Sequence, residues 1–193
     1  MDALEQLAAD LAAYAPCCEQ EARDRDVMLT FLRTGETPLE RTNLTAHFTA
    51  SGWTVSRDRT KVLMAYHNLY RSWSWTGGHA DGEADLLAVA LREAQEETGV
   101  AHIRPVSEMI FSVETLVVEG HEKRGEYVPC HLHMNVTYLL EADETDALAV
   151  KPDENSAVAW IPTDEVAARV TEPWMMARIY QKLLDKTPAP GDQ

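Results

Sequence analysis

The stretch LLAVALREAQEETG, Leu86 to Gly99, most constrains the chain. It contains no proline and no run of β-branched residues, and it ends on a glycine suited to a left-handed stop. The spacing predicts a helix whose buried stripe is Leu87, Leu91 and Ala94, flanked by Ala90. Glu93, Glu96 and Glu97 fall at i, i+3, i+4 and share a second face, where like charges repel by a few tenths of a kcal/mol per pair. Glu96 and Glu97 also occupy the last turn, where the helix dipole disfavours anions. Two readings follow. The carboxylates form a solvated acidic face, or they converge on a hard cation. For the second, Mg²⁺ or Mn²⁺ suits better than zinc, because no cysteine or histidine lies at metal spacing beside them.

The flanks of this helix read as strands. LTAHFTASGWTVS and KVLMAYH, separated by the polar turn RDRT, precede it. PVSEMIFSVETLVVE and YVPCHLHMNVTYLLEA follow as two longer strands around a charged loop at 120–126, and SAVAWIP is a further strand. TDEVAARV and EPWMMARIYQKLLDK read as helices. The order implies an α/β fold, a mixed sheet with helices on both faces. Residues 1–42 read as a helical extension, 43–187 as the main domain and 188–193 as a flexible tail. The extension carries two helices. In residues 2–15 the apolar positions are Leu4, Leu7, Ala8, Leu11, Ala12 and Tyr14; in 18–33 they are Val27, Met28, Phe31 and Leu32. Such stripes need a cover, either the main domain or a second subunit in a homodimer.

Composition narrows the partners. Net charge is −15, from 17 Lys and Arg against 32 Asp and Glu, so long-range repulsion opposes nucleic acid and anionic membrane. A phosphate-bearing small molecule remains compatible, since bound divalent cations invert the local charge. Cys17, Cys18 and Cys130 are odd in number and lack a Cys-x-x-Cys spacing, the pattern of reduced thiols. No apolar run approaches the ~18 residues of a membrane span, and the N-terminus is not a secretory signal. A cytoplasmic location is the expectation.

Gly77-Gly78 lie between a strand and the helix, where glycine lets backbone groups approach a ligand closely. Gly78, Arg92, Glu93, Ala94, Glu96, Glu97, Gly99 and Val100 together resemble the Nudix hydrolase signature, Gly-x5-Glu-x7-Arg-Glu-U-x-Glu-Glu-x-Gly-U, with U aliphatic. Ala84 departs from it, standing where the first glutamate belongs, with Glu83 and Asp85 on either side; Ala94 is a small U. The resemblance covers about residues 43–170 and implies a Nudix-type α/β/α sandwich. It also implies a hydrolase of nucleoside diphosphates linked to another moiety. By similarity Glu93, Glu96 and Glu97 hold Mg²⁺, or Mn²⁺ in its place, and Glu93 is also a possible general base. Gly78 offers its carbonyl to the metal, and Arg92 makes ion pairs that hold glutamates and loop. The missing first glutamate puts the bracing of the loop in doubt more than the metal site, and Glu83 or Asp85 can stand in.

A further acid from a later loop often joins such a site. Glu154 in KPDENSAVAW ranks first, with Glu126 and Glu144 as alternatives, and each also reads as a surface residue. His79, directly after the glycine pair, either contacts phosphate or caps the loop. His131 and His133 share a strand face with Asn135, Thr137 and Glu141; they line the cleft, face solvent, or ligate zinc if a third ligand exists. Arg71 can bind phosphate, and Tyr70, Trp73 and Trp75 either stack on a base or pack the core. Lys123 and Arg124 either reach a phosphate tail or are solvated. Two other classes share the fold. A Nudix-like sensor binds without cleaving, and Ala84 is the feature in its favour. An isopentenyl diphosphate isomerase needs a cysteine motif that Cys130 in VPCHLH does not resemble.

Overall fold

The computed structural model describes residues 2–34, 36–123 and 125–191, the side chain of Lys123 excepted. It is a mixed α/β fold. The ten strands are β1 (Ala46–Ser56), β2 (Lys61–His67), β3 (Ser72–Ser74), β4 (Thr76–His79), β5 (Ile103–Pro105), β6 (Ser112–Val118), β7 (His121–Lys123), β8 (Glu126–Val128), β9 (His131–Ala142) and β10 (Asn155–Pro162). Eight of them form one sheet along the path β10-β2-β1-β9-β5, with β3 on β2, β4 on β1 and β6 on β9. β1 and β9 run parallel in register, and the other pairings are antiparallel.

β1 is buried along its whole length, and alternation sends its side chains into two cores. Phe48 and Ala50 join Met134, Val136 and Leu140 of β9 beneath α3 (Leu86–Thr98). Trp53 and Val55 face the other way, onto Val62, Met64, Leu139, Ile179 and Tyr180. The second face is covered by α4 (Val166–Arg169) and by α5 (Pro173–Met175), which continues through a π turn (Met176–Tyr180) into α6 (Gln181–Lys186).

The N-terminal helices, α1 (Ala3–Ala13) and α2 (Glu19–Thr34), pack within the chain on the first core, through Leu7, Leu11, Tyr14 and Met28. Leu4 and Val27, predicted in the apolar stripes, point outward, while Leu29 turns in. Asp2 and Glu5 form a capping box that starts α1.

Three expectations change. The strand predicted over 105–119 is two strands, β5 and β6, because a turn closed by the Met109 N–H on Ser107 Oγ (3.1 Å) separates them. Pro129 likewise divides β8 from β9, and the loop expected at 120–126 is largely a hairpin of β7 on β8. The buried stripe of α3 is Leu86, Val89, Ala90 and Ala94, extended by Glu97 and Thr98; Leu87 and Leu91 lie at its edge. The helix is therefore turned so that a glutamate, not a leucine, completes the buried face. Arg124 and residues 192–193 lie outside the described residues.

Candidate active site

The helix that carries the carboxylates is held at both ends. Asp85 caps it by accepting the Ala88 N–H at 3.0 Å, and Glu83 accepts the Asp85 N–H at 2.9 Å. Ala84 between them packs against the first core. The two acids beside Ala84 thus order the helix start that the missing glutamate would brace. At the far end Gly99 adopts φ 73°, and its N–H donates to Gln95 O at 2.8 Å.

β4 brings the glycine pair against this helix. The Gly77 N–H donates to Glu97 Oε1 at 2.9 Å, and Asn155 Nδ2 donates to the Glu97 carbonyl at 2.9 Å. Glu97 is 5% exposed. Burial pushes its carboxyl up to about 8, and the charges of Glu154 and Glu93 add to the rise despite the Gly77 N–H. Glu93 is also raised by burial, with Glu96 and Glu154 contributing. A Cβ at Gly78 would stand 2.6 Å from Glu93 Oε1, so only glycine lets this strand approach the carboxylate. Gly78→Ala is therefore expected to displace the Glu93 side chain and weaken divalent-cation affinity by about tenfold or more, with little change in Tm. Isothermal titration and thermal melts of the variant check this.

Lys151 completes the cluster. Its Nζ lies 3.0 Å from Glu154 and 3.4 Å from Glu96. An ammonium among these acids marks where positive charge is stabilised, and all the donors are hard oxygens. The residues present therefore fit a divalent cation of the Mg²⁺ class. Glu93 lies against Gly78, Glu97 is held by Gly77, and Lys151 ties Glu96 to Glu154. Arg92 is exposed and 3.5 Å from Glu93, a loose pair. Glu144 is engaged elsewhere, 2.6 Å from Lys61, and Glu126 is exposed on the β7–β8 hairpin.

The remaining candidates divide. Trp75 is buried against Tyr180, and Trp73 packs on the same core, so both serve packing. Tyr70 is exposed. Arg71 sits in a turn at φ 52°, with its carbonyl accepting from Thr171 Oγ1 at 3.2 Å. The strand face of His131, Asn135 and Thr137 is buried rather than solvent-facing. On it Thr49 Oγ1 and Ser51 Oγ donate to Asn135 Oδ1, and Asn135 Nδ2 donates to Glu114 at 3.0 Å. His79 stands with His47, His131 and His133 in a ring cluster. His47 was not among the expected site residues. Its only sequence signal is its place at the start of a strand, in phase with no other histidine nearby.

A family model described as NUDIX domain matches residues 45–183, well over half of the chain. The chain belongs to the Nudix family. It is a Nudix pyrophosphohydrolase, and its mixed sheet flanked by helices is the fold of that family. A bis(5'-nucleosyl)-tetraphosphatase (asymmetrical) of Rattus norvegicus is 29% identical over 120 residues, 61% of this chain and 75% of the relative. Among solved structures, a C. elegans Ap4A hydrolase binary complex aligns with a TM-score of 0.51 at 17% identity, over 72% of this chain and 93% of its own. A Nudix-family hydrolase from Clostridium perfringens aligns equally well, at TM-score 0.51 and 18% identity over 72% and 96%. These two likenesses bear on the Nudix fold alone. Among the described residues no helix is long and apolar enough to cross a membrane.

Proposed function

We propose that this Nudix protein is a Mg²⁺-dependent hydrolase of nucleoside diphosphates linked to another moiety, with Mn²⁺ as a substitute. The observation that carries the reading is the buried Glu97, held by the Gly77 N–H within the electrostatic reach of Glu154, Glu93 and Lys151. Glu93, Glu96, Glu97 and Glu154, with the Gly78 carbonyl, would hold the metal. Bound there, the metal neutralises the diphosphate, polarises a phosphoryl oxygen and lowers the pKa of water.

The chain's own part is positional and acid–base. Glu93, pressed against Gly78 and raised by burial, would accept the proton of the attacking water. Glu97 is fixed at both its carboxylate and its carbonyl, so it presents one geometry. Lys151 is drawn to the acids and can follow charge as it forms on phosphate. Arg92 would add positive charge beside Glu93. Arg71, in its turn, would meet the rest of the substrate, whereas the expected contacts from His79, His131 and His133 give way to their packing in the histidine cluster. Dinucleoside tetraphosphates stand first among substrates to try, because the Rattus norvegicus relative carries that activity in its name. We place the hydrolase unit at 43–187, with residues 1–42 as its helical extension, in a cytoplasmic enzyme that can dimerise.

Metal affinity is expected to follow Glu97. Its carboxyl is protonated below about 8 in the metal-free chain, so a cation must displace that proton. Apparent Mg²⁺ affinity should rise by roughly tenfold per pH unit up to about pH 8 and then flatten. Calorimetry in buffers of different ionisation heat reads both the affinity and the released proton. Affinity independent of pH between about 6 and 8 would contradict the assignment.

A further inference from the structure

We propose that His47, His79 and His133 form a second metal site, for a divalent transition metal of the zinc class, separate from the carboxylates. Register builds it. β1 lies between β9 and β4, with His47 opposite His133 on one side and Thr49 opposite His79 on the other. One ring nitrogen from each of the three histidines lies within 4.8 Å of the others. His131, two residues before His133 on the same face, stacks on His47 with centroids 4.9 Å apart.

Hydrogen-bond accounting points the lone pairs inward. His47 Nδ1 is 3.0 Å from the Asn43 carbonyl, and His131 Nδ1 is 2.9 Å from the Pro129 carbonyl. A carbonyl only accepts, so both Nδ1 atoms carry the proton and both Nε2 atoms present a lone pair in the neutral ring. His133 Nε2 is 3.2 Å from His131 Nε2, so one N–H there can serve one lone pair. His47 Nε2 is left buried and without a hydrogen-bond partner, in a residue 3% exposed. A backbone carbonyl on the outer nitrogen and a bare, buried inner nitrogen, as at His47, is the arrangement that fixes an imidazole ligand on a metal. A cation held among the three rings would satisfy the His47 nitrogen, where protons would put like charges side by side. His131, outside the triad, contacts His133 through their Nε2 pair and so holds the His133 ring in place beside His47. All donors are imidazole, which selects zinc, cobalt, nickel or copper over Mg²⁺.

The two sites would share one strand. His79 follows Gly77 and Gly78, whose backbone meets Glu97 and Glu93. A metal on His79 would therefore pin β4 to β1 and β9 directly beside the carboxylates.

The test uses the full chain, stripped by chelator and titrated with Co²⁺ and then Zn²⁺. One equivalent of Co²⁺ should give visible d–d absorption, Zn²⁺ should displace it, and Tm should rise with either. His47→Ala and His133→Ala should abolish the band. His79→Gln, at a half-buried position, keeps the fold testable and should weaken Co²⁺ affinity by more than about tenfold while leaving the metal-free Tm nearly unchanged. Glu97→Gln should retain the band. A folded wild type without the band, or a band lost in Glu97→Gln and kept in His79→Gln, overturns the proposal. Neither result touches the hydrolase reading, which is scored by turnover with Mg²⁺.

Discussion

Glu97→Gln is expected to lower kcat on the diphosphate substrate by about 10³-fold or more, with the chain still folded. The glutamine keeps an oxygen for the Gly77 N–H, now 2.9 Å from Glu97 Oε1, so β4 and α3 stay joined. What it removes is the charge that would hold the metal. The substitution should also leave stability unharmed. The folded carboxyl is raised to about 8 against an ordinary value near 4.5, so the folded state binds the extra proton and stability falls as pH rises between those values. A neutral side chain escapes that penalty, and at pH 8 without metal the variant should melt no lower than wild type. Full activity in Glu97→Gln, or a loss of activity matched by a collapse in Tm, would remove Glu97 from the chemistry. Glu93→Gln separates a ligand from a base, because loss of a base alone lowers kcat and leaves metal affinity in place.

The second large effect is on stability and lies far from the glutamate helix. Glu21 of α2 is fully buried, accepting from Ser112 Oγ at 2.8 Å, from the Cys17 N–H at 2.8 Å and from Lys186 Nζ at 2.9 Å. Lys182 lies 3.3 Å from Glu21 and 3.0 Å from the equally buried Glu114. The cluster ties the N-terminal extension, the sheet and the last helix. Glu21→Ala leaves two ammoniums around one carboxylate inside the protein and is expected to cost about 3–5 kcal/mol. Burial pushes the Glu21 carboxyl up, but the hydrogen bonds from Tyr14, the Cys17 N–H and Lys186 outweigh it and hold the group at about 2. Its folded value is depressed, so its stabilisation is complete above about 4.5 and fades as pH falls toward 2. Urea unfolding at pH 7 and pH 3 checks both statements. Wild type should lose stability over that range, and the variant should lose less. A Glu21→Ala cost below about 1 kcal/mol would mean that the cluster holds nothing together.

How much of this was legible follows the range of each interaction. β2 occupies the seven residues KVLMAYH because a polar turn and a change of texture mark both its ends. The signature glutamates and Gly78 were legible because one helix and one turn place them. The resemblance points to a further acid in a later loop, and what links Glu154 to the helix is Lys151, three residues earlier, reaching to Glu96. α3 is turned by about one position from the expected stripe, because leucines outrank a glutamate in any periodicity argument. Only the Gly77 N–H and Asn155 explain why Glu97 turns inward. The histidine cluster needed the pairing of three strands far apart in sequence. His131 and His133 showed their shared face, but His47 and His79 join them only through the register of β1. Glu21 looked like one more charge on a polar helix face, since its partners Lys182 and Lys186 lie at the other end of the chain.

The measurement that tests the central claim most directly is product release from a substrate panel, with and without Mg²⁺ or Mn²⁺. Dinucleoside polyphosphates, nucleoside triphosphates, ADP-ribose, sugar nucleotides and NADH make up the panel, in water enriched in ¹⁸O. Turnover of at least one phosphoanhydride is expected only when metal is present, with the label in a phosphate product. Metal-independent turnover, or ligand binding by calorimetry with no turnover of any compound, would contradict it.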